Sequence, residues 1–236
     1  MIPPIIHYCW FGRGPMPELA LKCIDSWHKF MPDYDYKLWN EDNFDIKSNL
    51  YVSEAYEARK YAFVSDYVRL YALLLEGGIY LDTDVEVLKS MDDLRHFDGF
   101  IGYEGTKYHP IGTGTIASKA RGEWVKQQIK EYDDIHFILA DSTYDTTTNP
   151  VRITNVMKGN GFQPNGREQD YLDMHIFPVD YFCPRQTTGE YLITKNTYCD
   201  HHFMGTWDDK EKSSLSKWIG RRNLTRLIKL KRKILG

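Results

Sequence analysis

The pattern of apolar and polar positions is most distinct across residues 62–86. Residues 62–75 are apolar on nearly every side of a helix, which predicts a buried helix. Gly77 and Gly78 are expected to end this helix, since glycine adopts the backbone conformations that close a helix. Residues 79–81 then form a short apolar strand, so the segment predicts a helix, a glycine turn and a buried strand.

Similar periodicities predict the other elements of the chain. Helices are expected over residues 18–30, over 123–132, and from residue 51 towards the buried helix; strands or extended segments are expected over 2–10, 36–39, 85–88, 100–104, 111–117, 176–178 and 181–184. The order strand, helix, strand, helix, strand predicts an α/β fold with a nucleotide-binding sheet.

Two polar groups interrupt the apolar segment. Asp66 and Arg69 are three residues apart, so they share a helix face and can form a pair. A charge in an apolar helix must be paired or bound to a ligand. Side chains alternate along a strand, so Tyr80, Asp82 and Asp84 are expected to point to one side. Two carboxylates held close together repel each other unless a cation lies between them. Oxygen ligands of this kind suit Mg²⁺ or Mn²⁺, and diphosphate oxygens would complete the coordination shell.

Composition and charge narrow the class of protein. The 236 residues include 42% hydrophobic and 27% charged side chains, as in a soluble globular domain. The four cysteines form no C-x-x-C pair and are expected to be reduced thiols. Nine of the 30 Lys and Arg residues lie in residues 212–236, which contain no acid, so the preceding part carries 21 basic and 33 acidic side chains.

This asymmetry predicts a catalytic or binding domain over residues 1–211 and a basic amphipathic tail over 212–236. A basic amphipathic helix containing tryptophan is typical of a membrane-surface anchor. A final helix packed on the domain is the alternative. Nucleic-acid binding is not expected, because an acidic domain repels phosphate backbones.

Residues 65–84 follow the pattern S-D-x-x-R-x-x-x-L-x-x-x-G-G-x-Y-x-D-x-D. This pattern resembles the signature of glycosyltransferases with a DXD sugar-binding region (family 32), which include bacterial capsular sugar transferases and fungal mannosyltransferases. It is also similar to the glucosyltransferase domain of the large clostridial toxins. The resemblance implies a GT-A type fold, with a Rossmann-like mixed sheet flanked by helices, followed here by the C-terminal basic amphipathic helix.

The resemblance also implies roles for individual residues. Catalytic roles fall to Asp66 and Arg69, which would hold donor-sugar hydroxyls and the diphosphate. The family's opening strand matches HYCWFG, and its tryptophan stacks on the nucleotide base. The closing H-F/Y-x-G spacing suggests a histidine metal ligand. The implied donor-binding residues are Trp10, Tyr80, Asp82, Thr206 and Trp207, and the implied ligands of Mn²⁺ or Mg²⁺ are Asp82, Asp84 and His202.

The expected activity is retaining transfer of a hexose from a nucleotide-diphosphate sugar, with a UDP-sugar favoured, to an oligosaccharide or lipid-linked glycan acceptor. Bacterial capsular or surface polysaccharide synthesis is the expected setting. The protein is expected at the cytoplasmic face of the cell membrane, attached to an anionic surface through its tail.

Two other functions fit part of the pattern. A haloacid dehalogenase-type phosphohydrolase would use Asp82 as nucleophile and Asp84 as general acid, but Asp66 and Arg69 would have no role in it. An inactive sugar-binding module is the second. The glycine-rich residues 111–117 predict either a close approach to the donor sugar or a flexible strand.

Overall fold

The computed structural model of the chain describes residues 1–186 and 189–205, and its centre is a seven-stranded mixed sheet. The strands are β1 (Ile5–Cys9), β2 (Asp35–Trp39), β3 (Gly78–Leu81), β4 (Val85–Val87), β5 (Gly99–Tyr103), β6 (Ile111–Ser118), β7 (Gln169–Tyr171), β8 (Met174–Phe177) and β9 (Cys199–His201). The order in the central sheet is β2-β1-β3-β6-β5-β8-β7, and β4 pairs with β9 in a separate antiparallel sheet. Strand β1 is parallel to β2 and β3, whereas β6 runs antiparallel between β3 and β5.

Helices cover both faces of the sheet. They are α1 (Glu18–Phe30), α2 (Leu50–Glu57), α3 (Tyr61–Glu76), α4 (Glu123–Lys130), α5 (Asn149–Gly159) and α6 (Val179–Phe182). Side chains of a strand alternate between the faces, so Tyr80 packs in one hydrophobic cluster and its neighbours Ile79 and Leu81 in the other. Helices α2 to α5 contribute to the first cluster, and α1 and α6 to the second. Within the described part of the chain, no helix is long and apolar enough to cross a membrane.

Most predicted elements are confirmed, and two regions differ. The expected helix from residue 51 is divided into α2 and α3, with Arg59 between them at φ 57°. The expected strand at 181–184 is wrong, because residues 179–182 form the short helix α6 directly after Pro178. An apolar segment of four residues is too short for periodicity to distinguish a strand from a helical turn. The tail at 212–236 lies outside the described residues.

The two glycines after α3 have the conformations that the fold requires. Gly77 and Gly78 have φ values of 68° and 106°, which other residues adopt at a cost. A Cβ atom on Gly78 would lie 2.6 Å from the Ile5 carbonyl oxygen of the neighbouring strand. Glycine at this position therefore lets β3 lie directly beside β1, which sets the edge where the site forms.

Replacing Gly78 by alanine is expected to lower the free energy of unfolding by about 1–3 kcal/mol, through the strained φ and the backbone clash. Gly159→Ala is the matched control, because a Cβ there would meet no atom within 4 Å. Chemical denaturation of both variants gives the comparison. Equal stability of the two would contradict this account of the β1–β3 contact.

Candidate active site

A cleft of about 600 Å³ opens where β1 and β3 end. Because the two strands are parallel neighbours, their carboxyl ends lie at the same edge of the sheet. Trp10 follows β1 and Asp82 follows β3, and both line the cleft. The backbone of β6 passes beside them, and the Asp82 amide donates to the Gly114 carbonyl oxygen at 2.8 Å.

Arg69 lies under this cleft with only 4% of its surface exposed. Its guanidinium donates to Asp66 Oδ1 at 2.9 Å, which confirms the predicted pairing on one helix face. It also donates to the Thr113 carbonyl oxygen at 2.6 Å and lies 3.2 Å from Asp82 Oδ1. Burial alone would lower the pKa of Arg69, but the charges of Asp82 and Asp66 raise it. Arg69 is therefore a fixed positive charge that links α3, β6 and the aspartate pair.

Asp66 reaches the cleft from α3 and is 9% exposed. Burial raises its pKa to about 7, although the charge of Arg69 acts in the opposite direction. Near neutral pH the carboxyl group of Asp66 can therefore accept or donate a hydrogen bond, and both modes suit a sugar hydroxyl.

Asp82 is held by two groups. The Tyr80 hydroxyl donates to Asp82 Oδ1 at 2.8 Å, and Arg69 approaches the same oxygen. The guanidinium also lies over the Tyr80 ring, 4.6 Å from its centroid. The predicted common side of Tyr80 and Asp82 is thus confirmed, and the direct hydrogen bond between them orients the carboxylate.

Asp84 contacts the segment that follows β9. The Met204 amide donates to its Oδ2 at 2.6 Å, and His201 Nε2 lies 3.2 Å from its Oδ1. Burial opposes ionisation of Asp84, but the contacts with His201 and Met204 outweigh it and lower its pKa to about 2. Burial also acts to lower the pKa of His201, yet Asp84 and Cys183 raise it well above its usual value.

Asp82, Asp84 and His201 form the candidate metal group. Each offers one ligand atom, and these atoms lie within 4.8 Å of one another; this is the one such group among residues 1–186 and 189–205. Two carboxylate oxygens and an imidazole nitrogen fit Mn²⁺ or Mg²⁺. The raised pKa of His201 reflects the attraction of these carboxylates for positive charge, and a bound divalent ion would replace the imidazole proton.

The structure does not bring His202, the expected ligand, to Asp82 and Asp84. Its Nε2 lies 2.9 Å from Glu86 Oε2, away from the aspartate pair. In the β4–β9 pairing Glu86 is opposite Asp200, so His202, two residues after Asp200, lies on the same face as Glu86. Asp84 lies in the turn before β4, outside this alternation, and from there its side chain reaches His201.

The glycine-rich strand β6 makes a close approach to the site. A Cβ atom on Gly114 would lie 3.0 Å from His201 Nδ1 and 3.3 Å from Asp82 Oδ2. The absent side chain leaves room for two groups of the metal site. The close approach that the structure shows in residues 111–117 is to protein side chains, and a contact with the donor sugar stays a prediction.

Glu104 and Asn149 are among the cleft residues that were not predicted as site residues. Glu104 follows β5 and lines the cleft, and Asn149 begins α5 and is 2% exposed. The position of an acid at the end of a predicted strand could have indicated Glu104. Asn149 stands in a T-N-P-x-x-x-T segment that resembles the T-G-P-x-x-x-T segment of family 32, with Asn149 in place of the glycine.

The remaining expected donor-binding residues divide into two groups. The Trp10 indole donates to the Gly14 carbonyl oxygen at 2.7 Å, and its half-buried ring forms part of the cleft wall. Thr206 and Trp207 lie outside the described residues. Their predicted contacts stay predictions, while Gly205, just before them, also lines the cleft.

The chain resembles known glycosyltransferases in both sequence and structure. Residues 17–101 match the model of the family described as "glycosyltransferase sugar-binding region containing DXD motif". This region contains the Asp66–Arg69 pair and both aspartates of the metal group. The match supports a DXD-type glycosyltransferase region, and the finer assignment to family 32 stays a prediction.

Two curated relatives are yeast proteins. The chain is 32% identical over 104 residues, 42% of its length, to inositol phosphoceramide mannosyltransferase 3 of Schizosaccharomyces pombe. It is 28% identical over 151 residues, 58% of its length, to mannosyl phosphorylinositol ceramide synthase SUR1 of Saccharomyces cerevisiae. The matches span 29% and 37% of these relatives, respectively.

Among solved structures, the chain resembles the PaToxG glycosyltransferase with a TM-score of 0.50 at 20% identity. The alignment covers 68% of this chain and 70% of that one. This likeness concerns the fold, and it confirms the expected α/β architecture of GT-A type.

We expect His201→Ala to weaken Mn²⁺ binding by at least about tenfold, because it removes one ligand of the group. His202→Ala, the matched control, should bind Mn²⁺ like the unsubstituted protein, since His202 faces Glu86. Isothermal titration with MnCl₂ measures both affinities. A larger loss in His202→Ala than in His201→Ala would restore His202 as the ligand.

Proposed function

We propose that the chain is a metal-dependent glycosyltransferase that transfers a hexose from a nucleotide-diphosphate sugar to a glycan acceptor. The observation that carries the proposal is the convergence of three features on one cleft. These are the Asp82–Asp84–His201 metal group, the aromatic wall at Trp10, and Asp66 held by Arg69. Metal, base and sugar binding are the three requirements of such a donor.

Each feature matches one part of the donor. Asp82, Asp84 and His201 would hold Mn²⁺ or Mg²⁺, which neutralises charge on a departing nucleoside diphosphate. The Trp10 ring offers a stacking surface for the base. The Asp66 carboxyl group is placed to hydrogen bond with sugar hydroxyls.

Arg69 differs from its expected role of contacting the diphosphate. It is 4% exposed, and its donors are engaged by Asp66, Asp82 and Thr113. We therefore assign Arg69 a positioning role, in which it fixes the two carboxylates against each other. Removal of its charge would leave both carboxylates without their main partner.

The stereochemistry, the donor and the cellular setting are proposed from the family resemblance and from the basic tail. Retention of anomeric configuration follows from the family resemblance, and NMR of the product anomer tests it. A UDP-hexose is the favoured donor. The two yeast relatives are named for mannosyl transfer, so a mannose donor belongs in the same comparison. We retain capsular or surface polysaccharide synthesis at the cytoplasmic membrane face as the proposed setting, with a lipid-linked glycan as acceptor.

A panel of UDP-glucose, UDP-galactose and GDP-mannose with MnCl₂ tests the proposed activity. We expect one donor to raise the melting temperature, since a ligand at 100 times its dissociation constant stabilises by about 2.7 kcal/mol. Release of the nucleoside diphosphate should require Mn²⁺ or Mg²⁺, stop with EDTA, and increase with an oligosaccharide acceptor.

Asp84→Asn should abolish this release, whereas Glu168→Gln, which changes an exposed carboxylate beside the outer strand β7 that does not line the cleft, should retain it. Release of phosphate from simple phosphoesters, without turnover of any nucleotide sugar, would instead establish the phosphohydrolase alternative. Donor binding without turnover under all conditions would establish the inactive sugar-binding module.

The basic tail is proposed to attach the protein to an anionic membrane surface, where each Lys or Arg contributes on the order of 1 kcal/mol. We expect the full chain to float with phosphatidylserine vesicles at low salt and to lose this association when residues 212–236 are deleted. Vesicles of neutral phosphatidylcholine provide the control. Equal flotation of the full and shortened chains would contradict a role of the tail in attachment.

A further inference from the structure

Glu104 occupies a defined position at the edge of the cleft. It directly follows β5, and its amide donates to the Pro110 carbonyl oxygen at 2.8 Å. A Cβ atom on Gly112 of the adjacent strand would lie 3.3 Å from Glu104 Cβ, so β6 packs closely against it. The Glu104 side chain lines the main cleft, and it also lines a small pocket shared with His201 and Cys183.

The Glu104 carboxylate differs from the other carboxylates of the cleft. Asp66 accepts a hydrogen bond from Arg69, and Asp82 accepts one from Tyr80. Asp84 accepts one from the Met204 amide and also contacts His201. The structure gives the carboxylate of Glu104 no hydrogen bond or ion pair with any residue of 1–186 or 189–205. A half-buried carboxylate without a donor is destabilising. A ligand hydroxyl in the cleft would supply that donor.

The surroundings of Glu104 indicate what kind of donor is missing. The ligand atoms of Asp82, Asp84 and His201 lie within 4.8 Å of one another, and no oxygen of Glu104 belongs to this group. Glu104 therefore lies beside the metal group and not in it. Burial disfavours its charged form and raises its pKa, and a hydroxyl that donates a hydrogen bond to the carboxylate would offset part of that cost.

We propose that Glu104 is a substrate-binding residue whose carboxylate accepts a hydrogen bond from a sugar hydroxyl next to the metal group. This inference rests on the proposed function and adds a residue and a ligand group to it. The hydroxyl belongs either to the transferred sugar or to the acceptor, since both rings must meet beside the metal group for transfer.

Glu104→Gln and Glu104→Ala, with Glu168→Gln as control, separate these sources. The first measurement compares thermal shifts with Mn²⁺ and the nucleotide sugar that the unsubstituted protein turns over against those with Mn²⁺ and the nucleoside diphosphate of that same donor. The second compares hydrolysis of that donor without acceptor with transfer to the acceptor. Loss of a hydrogen bond to a carboxylate is expected to lower kcat/KM by roughly 10- to 100-fold in Glu104→Ala, with Glu104→Gln between it and the unsubstituted protein.

If the hydroxyl is on the transferred sugar, the shift with nucleotide sugar and the hydrolysis rate fall, while the shift with the nucleoside diphosphate is unchanged. If it is on the acceptor, hydrolysis is unchanged and KM for the acceptor rises. Either result supports the inference. Kinetics within twofold of the unsubstituted protein in both variants would overturn it, as would a loss confined to Mn²⁺ affinity. Absence of any turnover in the unsubstituted protein would instead reject the proposed function.

Discussion

The buried charge of Arg69 is the constraint on which the site depends. A guanidinium at 4% exposure is stable only if its donors are satisfied. They are satisfied by groups from three separate segments: Asp66 on its own helix, the Thr113 carbonyl oxygen on β6, and Asp82 after β3. The apolar surface of α3 brings the charge into the interior, and these three partners must then meet around it. The packing of α3 therefore also determines the positions of Asp66 and Asp82.

Sequence predicted the parts of the site that depend on local geometry. Asp66 and Arg69 meet because residues three apart share a helix face, and Tyr80 meets Asp82 because residues two apart share a strand face. The choice between His201 and His202 depends on the turn at Asp84 and on the pairing of β4 with β9, about 115 residues later in the chain, which no local pattern contains. Glu104 and Asn149 reach the cleft through strand order and through α5, so their place also depends on non-local pairing. The α/β fold itself could be predicted because it follows from the order of helices and strands.

The sequence likeness covers only part of the candidate site. The matched residues 17–101 supply Asp66, Arg69, Tyr80 and the aspartate pair. Trp10 precedes this region, and the other cleft groups follow it: Glu104, Asn149 and His201. The matched region thus holds two of the three groups that could bind a metal ion, together with the Asp66–Arg69 pair. Under the proposed function, the cleft groups outside it can differ between donors and acceptors while the common signature stays the same.

The pairing of β4 with β9 has a consequence for how the protein matures. Strand β9 is among the last described residues, and it carries His201 and leads to the Met204 amide that binds Asp84. A nascent chain that ends before residue 199 already contains the whole seven-stranded sheet, the Asp66–Arg69 pair and both aspartates. It lacks the imidazole and the amide that complete the metal group. If these residues hold a divalent ion as proposed, binding of the ion and docking of β9 would stabilise each other, and the group is complete only after the residues of the main sheet have been synthesised.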